Sequence, residues 1–165
     1  MPLLENGRLV ADSFVGVGDD EALPDAPALL SLGRLQREAA ALAGRNLPVG
    51  VVLPPDVSAD AVAPWLPWLA LVALRLPGPR DGRAFTQARA LREHHGFRGE
   101  IRATGHVIPD HYAMLLRCGV STVELPEGAD PAPWDAARRF VCTAYQPGFT
   151  GDAPLSLLRR RLEVA

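Results

Sequence analysis

Three groups of residues are of types and spacings that could do chemistry. Asp81 and Arg83 flank Gly82. An arginine in the first turn of a helix lies beside unpaired backbone N–H groups, where the helix dipole already favours negative charge. Arg83 in that position, with Thr86 one turn on, would help bind a small anion. The competing reading is a surface arginine paired with Asp81. The second group is Arg102, Thr104, Thr122 and Glu124. In strands, period-two alternation puts Arg102 with Thr104 on one face, and Thr122 with Glu124 on one face. If that face is shared, one side of the sheet carries a polar layer, suited to the inside of a barrel-like curve or to a ligand pocket. An Arg102–Glu124 ion pair between neighbouring strands explains the same residues. The third candidate is His106, which follows Gly105 at a strand end, where a catalytic acid or base would stand. An idle, exposed loop histidine is its alternative.

Other chemistry is excluded by what the chain lacks. All 17 basic residues are arginine, so no lysine can form a Schiff base or serve a phosphate-binding loop. No GxGxxG or GxSxG occurs. His106, His111 and Cys118 do not have metal-ligand spacing, and two separated cysteines, Cys118 and Cys142, cannot ligate an iron–sulfur cluster. No metal and no cofactor is therefore expected. A net charge of −2 gives no reason to expect nucleic acid or a membrane as partner. The most apolar stretch, Trp65 to Leu74, is too short to span a bilayer and contains Pro67. No export signal is visible, so a cytoplasmic location is expected.

These residues need a scaffold, and the chain reads as an α/β fold. Short apolar runs alternate with helical patterns: Ala28–Leu32, Val49–Leu53, Leu69–Leu76, Ile101–Thr104 and Thr122–Leu125 as strands, with Phe140–Tyr145 as a sixth. Helices follow, with Leu35, Ala39 and Leu42 inward in the first, and Phe85, Ala88 and Leu91 inward in the one capped by Asp81. Pro109 starts another helix, and Asp130-Pro131 the last. The expected architecture is a mainly parallel sheet of five or six strands built from repeated βα units, open or partial-barrel-like, with an N-terminal β-arm over 1–17. One domain covers 1–146, and 147–165 forms a loosely held tail. In such folds ligands collect at the carboxyl ends of the strands.

The run Asp81-Gly82-Arg83-Ala84-Phe85-Thr86-Gln87-Ala88-Arg89-Ala90-Leu91-Arg92 is accompanied by Gly99-Glu100-Ile101-Arg102-Ala103-Thr104-Gly105, Arg117-Cys118-Gly119 and Tyr145-Gln146. This set resembles the signature of an uncharacterised bacterial domain family encoded beside sulfite reductase and other sulfate-assimilation enzymes. Members are labelled as oxidoreductases or sulfite-reductase-associated proteins. The resemblance runs from Asn6-Gly7 to Gln146. The family pattern has an aspartate where His106 stands and tends to an acid where Arg75 stands, which sets His106 apart from any family-wide acid.

The resemblance implies a pathway and no mechanism. The leading expectation is an auxiliary protein of assimilatory sulfite reduction that binds the reductase, another sulfur-assimilation protein or a small anion, with Asp81, Arg83, Thr86, Arg102 and Glu124 facing the ligand. A small barrel-like enzyme acting on an anionic metabolite is the alternative, and a purely structural partner subunit is the third reading.

Overall fold

The computed structural model describes residues 1–140 and 148–149. Asn6-Gly7 turns the chain between β1 (Leu3–Glu5) and β2 (Arg8–Val10), and β3 (Val15–Gly16) follows after four residues. The βα units then run β4 (Ala28–Ser31), α1 (Leu32–Ala43), β5 (Val49–Leu53), a 3-10 segment (Ala59–Trp65) and β6 (Leu71–Leu76). Next come α2 (Arg83–Arg89), which continues as a π turn over Ala90–His94, β7 (Glu100–Gly105), α3 (Pro109–Arg117), β8 (Thr122–Glu124) and α4 (Ala132–Phe140). Local chemistry sets several boundaries. Ser31 accepts the Arg34 N–H and so starts α1 at Leu32, one residue inside the expected strand. Pro109 occupies the first turn of α3, and Asp130 accepts the Ala132 N–H ahead of α4. Phe140 is the last residue of α4 rather than the start of a strand, and the rest of the expected sixth strand lies outside the described residues.

The expected sheet of five or six mainly parallel strands is corrected to a mixed sheet of eight, in the order β2-β1-β8-β7-β6-β5-β4-β3. Strands β3 to β8 pair in parallel, whereas β1 pairs antiparallel with both β2 and β8. The N-terminal arm is thus part of the main sheet and supplies both of its edges. This dictates curvature. In a flat sheet the edge strands would stand about 34 Å apart, seven spacings of about 4.8 Å. The chain from Val10 to Val15 can reach only about 18 Å at full extension. The sheet therefore curls into a half-barrel, and residues 11–14 cross its open side as a strap.

Sequential parallel strands joined by right-handed crossovers place their helices on one face. That outer face carries Leu30, Val51, Leu53, Leu74, Leu76, Ile101, Ala103 and Val123, all buried against Leu35, Leu42, Val62, Ala88, Leu91 and Leu115. Each large apolar side chain so buried contributes about 1.5–3 kcal/mol. Ala39 and Phe85, expected inward, are only half-buried. The inner face holds the alternate residues. Leu3, Leu71 and Ala73 are buried there, outside the main core cluster, beside the polar side chains of β7 and β8.

Candidate functional site

Register brings Arg102 beside Ala73 on one side and Thr122 on the other, and pairs Arg75 with Thr104. The polar layer expected on one face of the sheet is thus the concave face of the half-barrel. Arg102 is 2% exposed. Its Nε donates to Glu100 Oε1 at 3.0 Å and its Nη1 to Asp12 Oδ2 at 2.8 Å. Thr122 Oγ1 donates to the same Glu100 oxygen at 2.5 Å. The Phe14 ring lies 5.6 Å from the guanidinium carbon, in cation–π range. Asp12 is held for this contact by its own loop, since its Oδ1 accepts the Phe14 N–H at 2.9 Å. A buried guanidinium is tolerated only with such partners. The acids are Asp12 and Glu100, not Glu124. Glu124 sits half-buried on the same face, paired with Leu3 of β1. Beside Arg102 opens a cleft of about 380 Å³ whose walls include Glu5, Ser13, Arg98, Ser121 and Thr122.

The strand-end loops carry the other candidates. Arg83 folds back on its own loop: Nε donates to Asp81 Oδ1 at 2.9 Å and Nη2 to Oδ2 at 2.6 Å. Asp81 also accepts the Arg83 backbone N–H at 3.1 Å. Gly82, not Asp81, is the residue that caps α2, and it makes no side-chain cap bond. The fork from Arg83 pulls the Asp81 carboxyl down to about 2. His106 is exposed, its N–H bonded to Leu76 O at 2.9 Å. Gly105 before it has φ +88°, and a Cβ there would lie 2.5 Å from Leu76 O, so the turn into His106 admits only glycine.

Thr86 faces a different place, an open groove of about 620 Å³ between α2 and α3 on the outside of the molecule. Phe85, Ala90, Met114 and Cys118 make it apolar, and Met114 is 54% exposed. Arg89 and Glu93, joined at 2.9 Å, form its charged rim. The candidates therefore divide three ways: Asp81 and Arg83 bind each other, Thr86 lines the outer groove, and Arg102 and Glu124 share the inner face.

Sequence reasoning missed Asp12 and Phe14, whose approach to Arg102 depends on the curl of the whole sheet. It also passed over Glu100, although the i,i+2 spacing to Arg102 within a strand places both on one face. A further buried cation, Arg92, closes the Asp81–Arg92 run. It donates to the carbonyls of Gly119, Phe97 and Gly99 and to Ser121 Oγ, at 2.6–3.0 Å. His95, at the end of the π turn, contacts Asp60 at 2.9 Å. Among the described residues no group of three or more His, Cys, Asp or Glu converges as a metal site, and no helix is long and apolar enough to cross a membrane.

Residues 50–156 match the model of a bacterial protein family of unknown function (DUF934). Asp81, Arg83, Thr86, Arg102, His106 and Glu124 fall inside the matched stretch, whereas Asp12 and Phe14 precede it. A search of curated protein sequences finds no match. With about two thirds of its length matched, from β5 onward, the chain belongs to this family of bacterial proteins of unknown function, DUF934.

Proposed function

We propose that the protein is an auxiliary factor of assimilatory sulfite reduction that works by binding a partner protein, the reductase or another protein of sulfur assimilation, through its α2/α3 face. The pathway is what the sequence resemblance implies. The observation that carries the mode of action is the outer groove, apolar along its floor and charged at its rim. A solvent-exposed methionine beside a half-buried phenylalanine is the composition of a protein-binding patch, because Met adapts its shape to the surface it meets. A small-anion site at the start of α2 is less favoured, since Asp81 already satisfies the guanidinium of Arg83. The enzyme reading needs His106, Arg83 and Arg102 to act together, and they lie in separate environments.

The test is copurification of tagged protein with the subunits of sulfite reductase, paired with growth of a deletion strain on sulfate and on cysteine. The strain is expected to grow on cysteine and poorly on sulfate. Met114→Glu should fold normally, lose the copurifying reductase and fail to restore growth on sulfate. Equal growth of the deletion strain on both sulfur sources would reject the pathway. A Met114→Glu protein that retains its partner would reject the face.

A further inference from the structure

We propose that Asp12 is the built-in occupant of an oxyanion site: the cleft under the strap, with Arg102 as its fixed cation, accepts a small oxyanion in place of the Asp12 carboxylate, and the 11–14 strap lifts as it enters. The two acids that hold Arg102 are not equivalent. Glu100 belongs to β7, and its Oε1 is bonded to both Arg102 and Thr122. Asp12 belongs to four residues outside any strand; its neighbours Ala11 and Ser13 are exposed, while the Asp12 side chain is 24% exposed, as is that of Glu100. Among the described residues the partners of Asp12 are Arg102 and the Phe14 N–H of the same strap. Asp12 and Phe14 can therefore leave together without breaking a sheet hydrogen bond.

The space beside them is already formed and suits an anion. The cleft of about 380 Å³ is far larger than a sulfate or an acetate, and Ser13 and Thr122 line it. Arg98 lines it too, exposed and without an ion pair among the described residues. Two carboxylates, Glu5 and Glu100, also line it and oppose a third negative charge. Exchanging the Asp12 carboxylate for another anion leaves one counter-ion in its place beside Arg102, whereas adding an anion without displacing Asp12 would add a third. The ligand class is accordingly a small oxyanion, inorganic or carboxylate. The tether gives Asp12 an effective concentration in the millimolar range, so it competes with any free anion and weakens its apparent affinity.

The experiment is isothermal titration of the full chain with sodium sulfate, sodium phosphate and sodium acetate, ionic strength held constant with sodium chloride. Asp12→Asn keeps the strap and its shape but removes the competing charge. It is expected to bind sulfate at least about tenfold more tightly than the unaltered protein. Arg102→Lys in that background should abolish the gain. The acetate arm separates a carboxylate site from an inorganic oxyanion site. In the unaltered protein, sulfate should also shift the Phe14 ring proton resonances, because the ring leaves the Arg102 guanidinium when the strap lifts. Asp12→Asn binding all three anions no better than the unaltered protein would overturn the proposal. So would failure of Asp12→Asn to fold, which would make Asp12 a structural counter-ion, or Phe14 ring resonances indifferent to sulfate. None of these readouts involves the reductase, so the docking face stands or falls separately.

Discussion

Arg92 and Gly119 are fitted to each other. The Arg92 Nε donates to the Gly119 carbonyl at 2.9 Å, and a Cβ on residue 119 would lie 2.4 Å from Arg92 Cγ. Gly119 has φ +95°, a backbone state that side chains resist. Through this contact the end of α2 is tied to the loops that launch β7 and β8, because the same guanidinium also bonds Phe97 O, Gly99 O and Ser121 Oγ.

Gly119→Ala should therefore cost about 2 kcal/mol or more, from backbone strain together with displacement of the arginine. Arg92→Met should cost about 3 kcal/mol, since buried carbonyls lose their donors. Urea unfolding of both single variants and the double variant measures the coupling. Additive losses would show that the two residues do not act as a unit.

Removing Arg102 leaves Glu100 and Asp12 facing each other across the concave face. Arg102→Met is expected to destabilise the fold by roughly 3–5 kcal/mol, and Asp12→Asn by only about 1 kcal/mol. Chemical melts test the ratio. Equal losses from the two variants would mean that the strap is as integral to the sheet as the strand it covers.

Asp81 titrates far below an ordinary aspartate, at about 2, because Arg83 and its N–H hold the charged form. A depressed folded pKa stabilises the native state above the unfolded value of 3.8, and that contribution is lost as pH falls through about 2. Carboxyl carbon shifts should show this midpoint, and Arg83→Gln should move it up toward 3.8 and lower the urea midpoint at pH 7. An Asp81 midpoint near 3.8 in the unaltered protein would remove the Arg83 fork from solution.

Burial pushes the Cys118 thiol up from its usual 9.0. The unfolded chain loses this proton first, so the effect lowers stability as pH rises past 9 and is absent at neutral pH. In a Cys142→Ser background, iodoacetamide at pH 8 should modify Cys118 slowly, at a rate that rises steeply with urea. Rapid native labelling would mean that the floor of the outer groove opens readily.

Much of the scaffold was legible. The runs at 49–53 and 71–76 are strands because they are apolar save for Gly50 and Arg75, which suits a sheet covered by helices on one face. The alternation at 100–105 correctly foretold a polar face. The arm's place was not legible: β1 meets β8 through Leu4 and Val123, and no local pattern encodes a partner so far along the chain. Ala88 and Leu91 face inward as the pattern indicates, Leu91 within the π turn over Ala90–His94, whereas Phe85 turns partly outward to the groove. The site was less legible than the fold, because Arg102 takes one acid from its own strand and the other from a strap whose path only the finished curve defines.

The placement of the arm also sets an order of assembly. Made before the βα units, its β1–β2 hairpin can be seated only late: β3 can join β4 early, but β1 has no neighbour other than β2 until Thr122–Glu124 has been synthesised. On the ribosome the strands from β3 to β7 can therefore associate while the hairpin waits beside them, its pairing edge open. Only when β8 arrives does the hairpin close onto the far side and draw the strap taut. A nascent chain stalled between β7 and β8 would hold a sheet with one side unfinished, and the arrival of a three-residue strand completes it.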